Sequence, residues 1–285
     1  MPIINLLRIP IVNLLRPKQW IKNFFVFAPL IFSGELFFSV SVFNALITFL
    51  LFCCAASSVY IINDLNDVEK DKLHPKKCKR PLASGLVSKT QAKIIIALLY
   101  LVLLTGLLFD YKVSLIIFSY IILNYAYSLY LKHQPVLDIF TIALGFVLRT
   151  YAGAVAIGVP ISNWMLITVL TLSLYLAAIK REQELLNTGA ETRIALKKYT
   201  LSLTRKYIEI SASCTIVFYS LFVLESRPEL IFTVPIILFG IFRYWFINET
   251  STQCESPTDA VIEDKPLLIT IVVWLGIVIY KMYLE

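Results

Sequence analysis

Residues that are mostly apolar run along this chain in nine stretches, at about 21–34, 40–62, 90–109, 113–131, 136–157, 163–180, 207–224, 230–247 and 266–284. They are apolar all round and lack the period-two alternation of barrel strands, so helices are the expected form. A membrane-spanning helix needs about 20 apolar residues, and most of these stretches come close to that length. The pattern predicts an all-α, polytopic membrane protein with nine transmembrane helices, built as a single membrane-embedded domain over residues 1–285.

Composition agrees. Hydrophobic residues make up 58% of the chain and charged residues only 16%, with a mean hydropathy of +0.77. Soluble domains carry about a quarter of their residues as charges. An ordinary soluble enzyme and a disordered chain are both excluded. The net charge of +7 comes from basic residues placed between the apolar stretches, which points to topology and anionic headgroups and not to nucleic acid. Alternate connections carry twenty-one Lys and Arg on one side against three on the other. This predicts a cytoplasmic N-terminus in an inner, cytoplasmic membrane, with the chemistry on the cytoplasmic face. The five cysteines show neither metal-ligand spacing nor a disulfide framework, and no cleavable signal peptide is visible. Two long charged loops, about 63–89 and 180–206, lie four spans apart and hint at two halves.

Asn63-Asp64-Leu65-Asn66-Asp67-Val68-Glu69-Lys70-Asp71 closes the second stretch. At i, i+3 and i+7, Asp64, Asp67 and Asp71 line one helical face, and Asn63 stands one turn before Asp67. Carboxylates stacked this way repel unless a cation lies between them. Their oxygens are hard ligands of the kind Mg²⁺ accepts while bridging to substrate phosphates. The bland alternative is a solvated helix end neutralised by Lys70 and Lys72. His74-Pro75-Lys76-Lys77-Cys78-Lys79-Arg80-Pro81 follows directly. Positive charge beside such an ion suits a departing diphosphate, and Arg80, fixed next to Pro81, is the residue expected to make a specific contact.

The Asn-Asp-x-x-Asp-x-x-x-Asp pattern at the end of a second span resembles the UbiA superfamily of intramembrane prenyltransferases. Further segments narrow the likeness: Arg16-Pro17-Lys18-Gln19-Trp20-Ile21-Lys22-Asn23, Tyr127-Ser128-Leu129-Tyr130-Leu131-Lys132-His133 with Pro135 and Asp138, and Gly145-Phe146-Val147-Leu148-Arg149. Lys180-Arg181-Glu182-Gln183-Glu184-Leu185, Arg243-Tyr244, Glu255-Ser256-Pro257 and Asp264-Lys265-Pro266-Leu267 complete the set. Together they are similar to the decaprenyl-phosphate phosphoribosyltransferase branch. The resemblance implies a helical bundle around a cytoplasm-facing cavity. It also implies Mg²⁺ as cofactor, held by Asn63, Asp64, Asp67 and Asp71, with Asp64, Asp67 and Lys132 as the catalytic group.

Superfamily members usually carry a second Asp-rich motif after the sixth span, where this chain has Lys180, Arg181, Glu182 and Glu184. Cations there favour direct binding of an anion such as a 5-phosphate; the plain alternative is a Lys180–Glu184 salt bridge. The resemblance places Arg80, Tyr127, Lys132, Lys180, Arg181 and Glu184 around the donor. Lys18 and Lys22, i and i+4 beside Trp20, are candidates for the acceptor phosphate; the alternative is an interfacial anchor. Asp138 and Arg149 lie about 16 Å apart along the fifth span, too far to pair. Asp138 can face the cavity, and Arg149 is equally well read as structural. Asp264 reads as a helix cap.

The function expected is Mg²⁺-dependent transfer of 5-phosphoribose from phosphoribosyl diphosphate to a membrane polyprenyl phosphate, making a cell-envelope glycan precursor. An ionised phosphate oxygen as nucleophile needs no general base. The alternative is a UbiA-type aromatic prenyltransferase. A transporter of anionic lipids or metabolites is disfavoured because the charges gather at one mouth.

Overall fold

The computed structural model describes residues 10–74, 77–188, 195–250 and 263–285; Arg8, Pro75, Lys76, Arg193, Cys254 and Glu255-Ser256-Pro257 lie outside them. Among the described residues every regular element is helical. Eight long helices follow one another: α1 Ser39–Asn66, α2 Lys89–Phe109, α3 Tyr111–Leu129, α4 Leu137–Ile157, α5 Asn163–Thr188, α6 Leu201–Ser226, α7 Val234–Thr250 and α8 Lys265–Tyr283. All are long and apolar enough to cross a membrane, α7 together with the preceding turn Pro228–Thr233. The protein is an integral membrane protein.

The first expected span takes a different form. Residues Pro17–Phe27 wind as a 3₁₀ helix, followed by a short α-helix Ala28–Phe32. At about 2 Å per 3₁₀ residue and 1.5 Å per α-helical residue, the pair reaches about 30 Å, the thickness of the hydrocarbon core. Sixteen residues thereby do the work that would take about 20 in an α-helix.

Three residues per turn also decide which side chains face inward. Trp20, Asn23 and Val26 fall on one side. Trp20 Nε1 donates to Ser57 Oγ at 3.1 Å, Asn23 Nδ2 lies 3.3 Å from Cys53 Sγ, and Val26 is fully buried. Against this side packs Gly153 of α4, where any added Cβ would overlap the Val26 carbonyl. Close backbone approach is the reason for glycine here.

α1 and α4 are the most buried spans, whereas α2 and α8 present most of their length outward. One apolar core gathers Val26, Phe52, Val113, Tyr120 and Ala152 around α1, α3 and α4. Two others gather α5 to α8, around Tyr175, Ile208 and Tyr244 and around Phe222, Leu230 and Val278. The apolar interior thus falls into two halves, with Phe32 of the first segment packing into the second. Because the spans alternate in direction, the ends of α1, α3 and α5 and the start of α4 lie at one end of the bundle. The site is built there.

Candidate active site

α1 stops at Asn66, and Asp67 leaves helical geometry at φ −102° and ψ 7° before a short helix, Val68–Lys72. The backbone ladder survives the bend, since Asp67 N bonds to Asn63 O at 3.0 Å and Asp71 N to Asp67 O at 2.8 Å. Asp64 and Asp71 are buried, at 2% and 4% exposure. Their counter-charges come from elsewhere in the chain. Arg80 Nη1 lies 3.0 Å from Asp64 Oδ1 and 2.6 Å from Asp71 Oδ2, and Arg16 Nη2 reaches the same Asp64 oxygen at 2.5 Å. Arg16 also stacks on the Tyr60 ring at 4.9 Å.

The three carboxylates expected on one face are therefore not all brought together. Asp64 and Asp71 share a cation, while Asp67 is 39% exposed beside Lys70 at 3.9 Å. The bend at Asp67 is the reason, because a shared face requires an unbroken helix. Nor do Lys70 and Lys72 neutralise the cluster's buried members: Lys72 pairs with Glu69. No three His, Cys, Asp or Glu side chains among the described residues gather around one point as metal ligands. The donor set nevertheless suits a hard divalent cation: it is all oxygen, and two carboxylates already converge on a single positively charged nitrogen.

The second cluster lies where the two halves meet. Asp138, in the first turn of α4, is fully buried, and its Oδ1 accepts the Tyr199 hydroxyl at 2.7 Å. The same hydroxyl accepts from Val136 N at 2.7 Å. Val136 has φ +70°, a strained conformation for a β-branched residue, and Arg16 at φ +55° is the other non-glycine residue with positive φ among those described. Each cluster thus contains one strained backbone position. Burial, and then the Asp138 hydrogen bond, push the Tyr199 phenol up, so it remains a donor.

Arg181, 1% exposed on α5, forms an ion pair with Glu184 at 3.0 Å and lies 3.7 Å from Asp138 Oδ2. Asp138 Oδ2 and Arg181 Nε and Nη1 are buried without a hydrogen-bond partner. Glu184 pairs with Arg181, one residue nearer than the Lys180 partner expected from spacing. Next to it, Glu182 accepts from Arg205 Nε at 3.0 Å and Asn248 Nδ2 at 2.9 Å, tying α5 to α6 and α7.

Lys132 sits in a 3₁₀ turn, Leu131–His133, just beyond α3, half-buried and without an ion pair among the described residues. Tyr127 is half-buried in the last turn of α3, and Lys180 is half-buried beside Arg181. Lys18 is exposed and Lys22 half-buried. These two lysines do not share a face as an α-helix would make them, because four residues in a 3₁₀ helix turn about 120° past a full revolution.

Arg149 is structural. It donates to Asn23 Oδ1 and to Gly145 O at 2.7 Å and to Tyr120 OH at 2.8 Å, and it packs over the Tyr120 and Phe146 rings. Asp264 caps α8, accepting from Leu267 N at 2.8 Å while holding Arg243 at 3.1 and 2.7 Å.

Sequence reasoning missed Arg16 and Tyr199 as members of the site. Arg16 could have been found from its place directly before Pro17 at the foot of a span. Nothing local distinguishes Tyr199, which lies 61 residues from its partner.

Comparison with known proteins follows the same geometry. Residues 24–257 match the UbiA prenyltransferase family. The decaprenyl-phosphate phosphoribosyltransferase of Mycolicibacterium smegmatis is 34% identical, over 93% of this chain and 90% of that protein. The protein of the same name from Corynebacterium glutamicum is 32% identical, over 96% and 86%. Among solved structures, a UbiA homolog from Archaeoglobus fulgidus bound to GPP and Mg²⁺ superposes with a TM-score of 0.73 at 20% identity, covering 96% of this chain and 99% of that one. That likeness bears on the fold.

Proposed function

The chain belongs to the UbiA prenyltransferase family, and from that premise we propose that it transfers 5-phosphoribose from phosphoribosyl diphosphate to a membrane polyprenyl phosphate, releasing diphosphate. The observation that carries this reading is the chemistry of the second cluster: a buried guanidinium with donors to spare, beside Lys180, where an acidic metal-binding motif would serve a prenyl diphosphate. The length-wide likeness to proteins named decaprenyl-phosphate phosphoribosyltransferase supports it.

In this reading Asn63, Asp64, Asp67 and Asp71 would hold Mg²⁺, and the ion would supply neutralisation of charge on the leaving diphosphate. Arg80 and Arg16 bind diphosphate oxygens. Lys132 and Tyr127 complete that grip from α3. Lys180 and Arg181 take the 5-phosphate, with Glu184 holding the guanidinium in place. Lys18 or Lys22 meets the acceptor's phosphate at the headgroup level. An ionised oxygen of that phosphate attacks the anomeric carbon, its new C–O bond forming as the bond to diphosphate breaks. Attack opposite the leaving group inverts the configuration. Neither His74 nor His133 is required as a base. The whole chain acts as one unit in the inner membrane with the N-terminus and the site on the cytoplasmic side, and its product feeds assembly of a cell-envelope glycan.

The test uses purified protein in detergent with Mg²⁺ and radiolabelled phosphoribosyl diphosphate. Label is expected on polyprenyl phosphate and is lost with EDTA. Transfer of a labelled prenyl chain from its diphosphate to 4-hydroxybenzoate, without phosphoribosyl transfer, would replace this reading by an aromatic prenyltransferase.

A further inference from the structure

The gap between Asp138 and Arg181 has a definite chemical shape. On one side stands a carboxylate oxygen that is fully buried and accepts no hydrogen bond; on the other stands a guanidinium whose Nε donates none and whose Nη1, 3.0 Å from Glu184 Oε2 in an ion pair, makes no aligned hydrogen bond. They are 3.7 Å apart, beyond direct hydrogen-bond distance and close enough that one oxygen atom can touch both. Leaving both sides unanswered is costly in a buried site. The rest of the cluster is firmly held. Tyr199 occupies Asp138 Oδ1, so Oδ2 is the oxygen that remains, and Glu184 anchors Arg181 from the outer side, at 22% exposure. The group that satisfies both faces must donate to a carboxylate and accept from a guanidinium at the same atom. Between Nη1 and Asp138 Oδ2 a hydroxyl does this; an ionised phosphate oxygen cannot donate to Asp138, which leaves the 5-phosphate to Arg181 Nε and Lys180.

We propose that Asp138 and Arg181 form a hydroxyl-recognition subsite that takes a ring hydroxyl of the pentose donor. This rests on the phosphoribosyl reading for the identity of the donor. It adds that the enzyme selects a sugar by its hydroxyl as well as by its phosphates, and that Asp138 is the specificity-determining residue. A prenyl diphosphate carries no hydroxyl and would leave the pair unsatisfied.

Direct binding to the detergent-solubilised protein tests this, with phosphoribosyl diphosphate and its 2-deoxy and 3-deoxy analogues as probes. The wild type should bind the parent at least about tenfold more tightly than one of the two analogues, the size of a hydrogen bond to a charged group. In Asp138→Asn that preference should fall to about one while affinity for inorganic diphosphate is kept, which also reports that the variant is folded. Arg181→Gln provides a second variant should the first not fold. Equal wild-type affinity for all three probes overturns the proposal, and means that water fills the gap. So does a preference that survives in a folded Asp138→Asn. Failure of the functional reading looks different: no label reaches polyprenyl phosphate, whatever the binding preference.

Discussion

At the end of α1, two buried carboxylates share the Arg80 guanidinium at 3.0 and 2.6 Å, and Arg16 adds a second cation to Asp64 at 2.5 Å. At the start of α4, a single buried carboxylate keeps one oxygen unbonded, and its nearest guanidinium stands off at 3.7 Å. The first cluster is closed on itself. Its arginines, 24% and 30% exposed, can leave the carboxylates for an incoming diphosphate, and a metal ion can take their place. The second is fixed on both sides by Tyr199 and Glu184 and holds its unused atoms in position beforehand. One cluster works by exchanging cations and the other by being ready. Both stand beside a backbone position forced to positive φ, which is where strain is tolerated when neighbouring contacts fix the conformation.

Four changes would sharpen or break this contrast, in decreasing order of effect. Asp64→Ala removes the oxygen on which Arg16 and Arg80 converge, and phosphoribosyl transfer should fall about 100- to 1,000-fold. Turnover within about tenfold of wild type would show that the first cluster does not hold the leaving group. Tyr199→Phe deprives both Val136 N–H and Asp138 Oδ1 of a partner. KM for phosphoribosyl diphosphate should rise about tenfold with kcat within about threefold, the pattern of a positioning residue. A fall in kcat at constant KM would break the assignment.

Gly153→Ala drives a methyl group into the Val26 carbonyl and displaces the 3₁₀ segment that carries Arg16 at its start. It should cost about 1–3 kcal/mol, read as a lower Tm in detergent. Activity should drop through the first cluster, leaving the preference for the ribosyl donor over its deoxy analogues intact. Asp264→Asn lies apart from both clusters and serves as the baseline, with a loss under about 1 kcal/mol. The Arg243 hydrogen bonds hold the Asp264 carboxyl below its ordinary value. The folded carboxyl therefore titrates below the unfolded one at about 3.9. Its contribution is complete above that pH and disappears as pH falls through and below it. Scans of wild type and Asp264→Asn should differ at neutral pH and converge in acid.

Much of this protein could be read from its residues in order. The apolar stretches marked the spans, Asn63 to Asp71 marked the acidic mouth, Asp264 with Pro266 marked a helix start, and the separation of Asp138 from Arg149 ruled out their pairing. Two local readings changed in the structure. Lys18 and Lys22 lost their common face because the first stretch winds as 3₁₀ around Gly153, and Asp67 turned outward because α1 bends there. In each case the backbone departs from the regular α-helix that the spacing assumes.

By itself the sequence determined that the protein is helical and membrane-embedded, which family it resembles, and where charge gathers. These follow from composition and short-range spacing, because the bilayer acts on each stretch separately. Only the tertiary structure decided that Arg16 and Arg80 serve Asp64, that Tyr199 serves Asp138, and that Arg181 stands just out of reach. A helix that is apolar all round carries no record of which side meets its neighbours. Its rotation, and so the partners of its few polar groups, is set by close packing against the other helices.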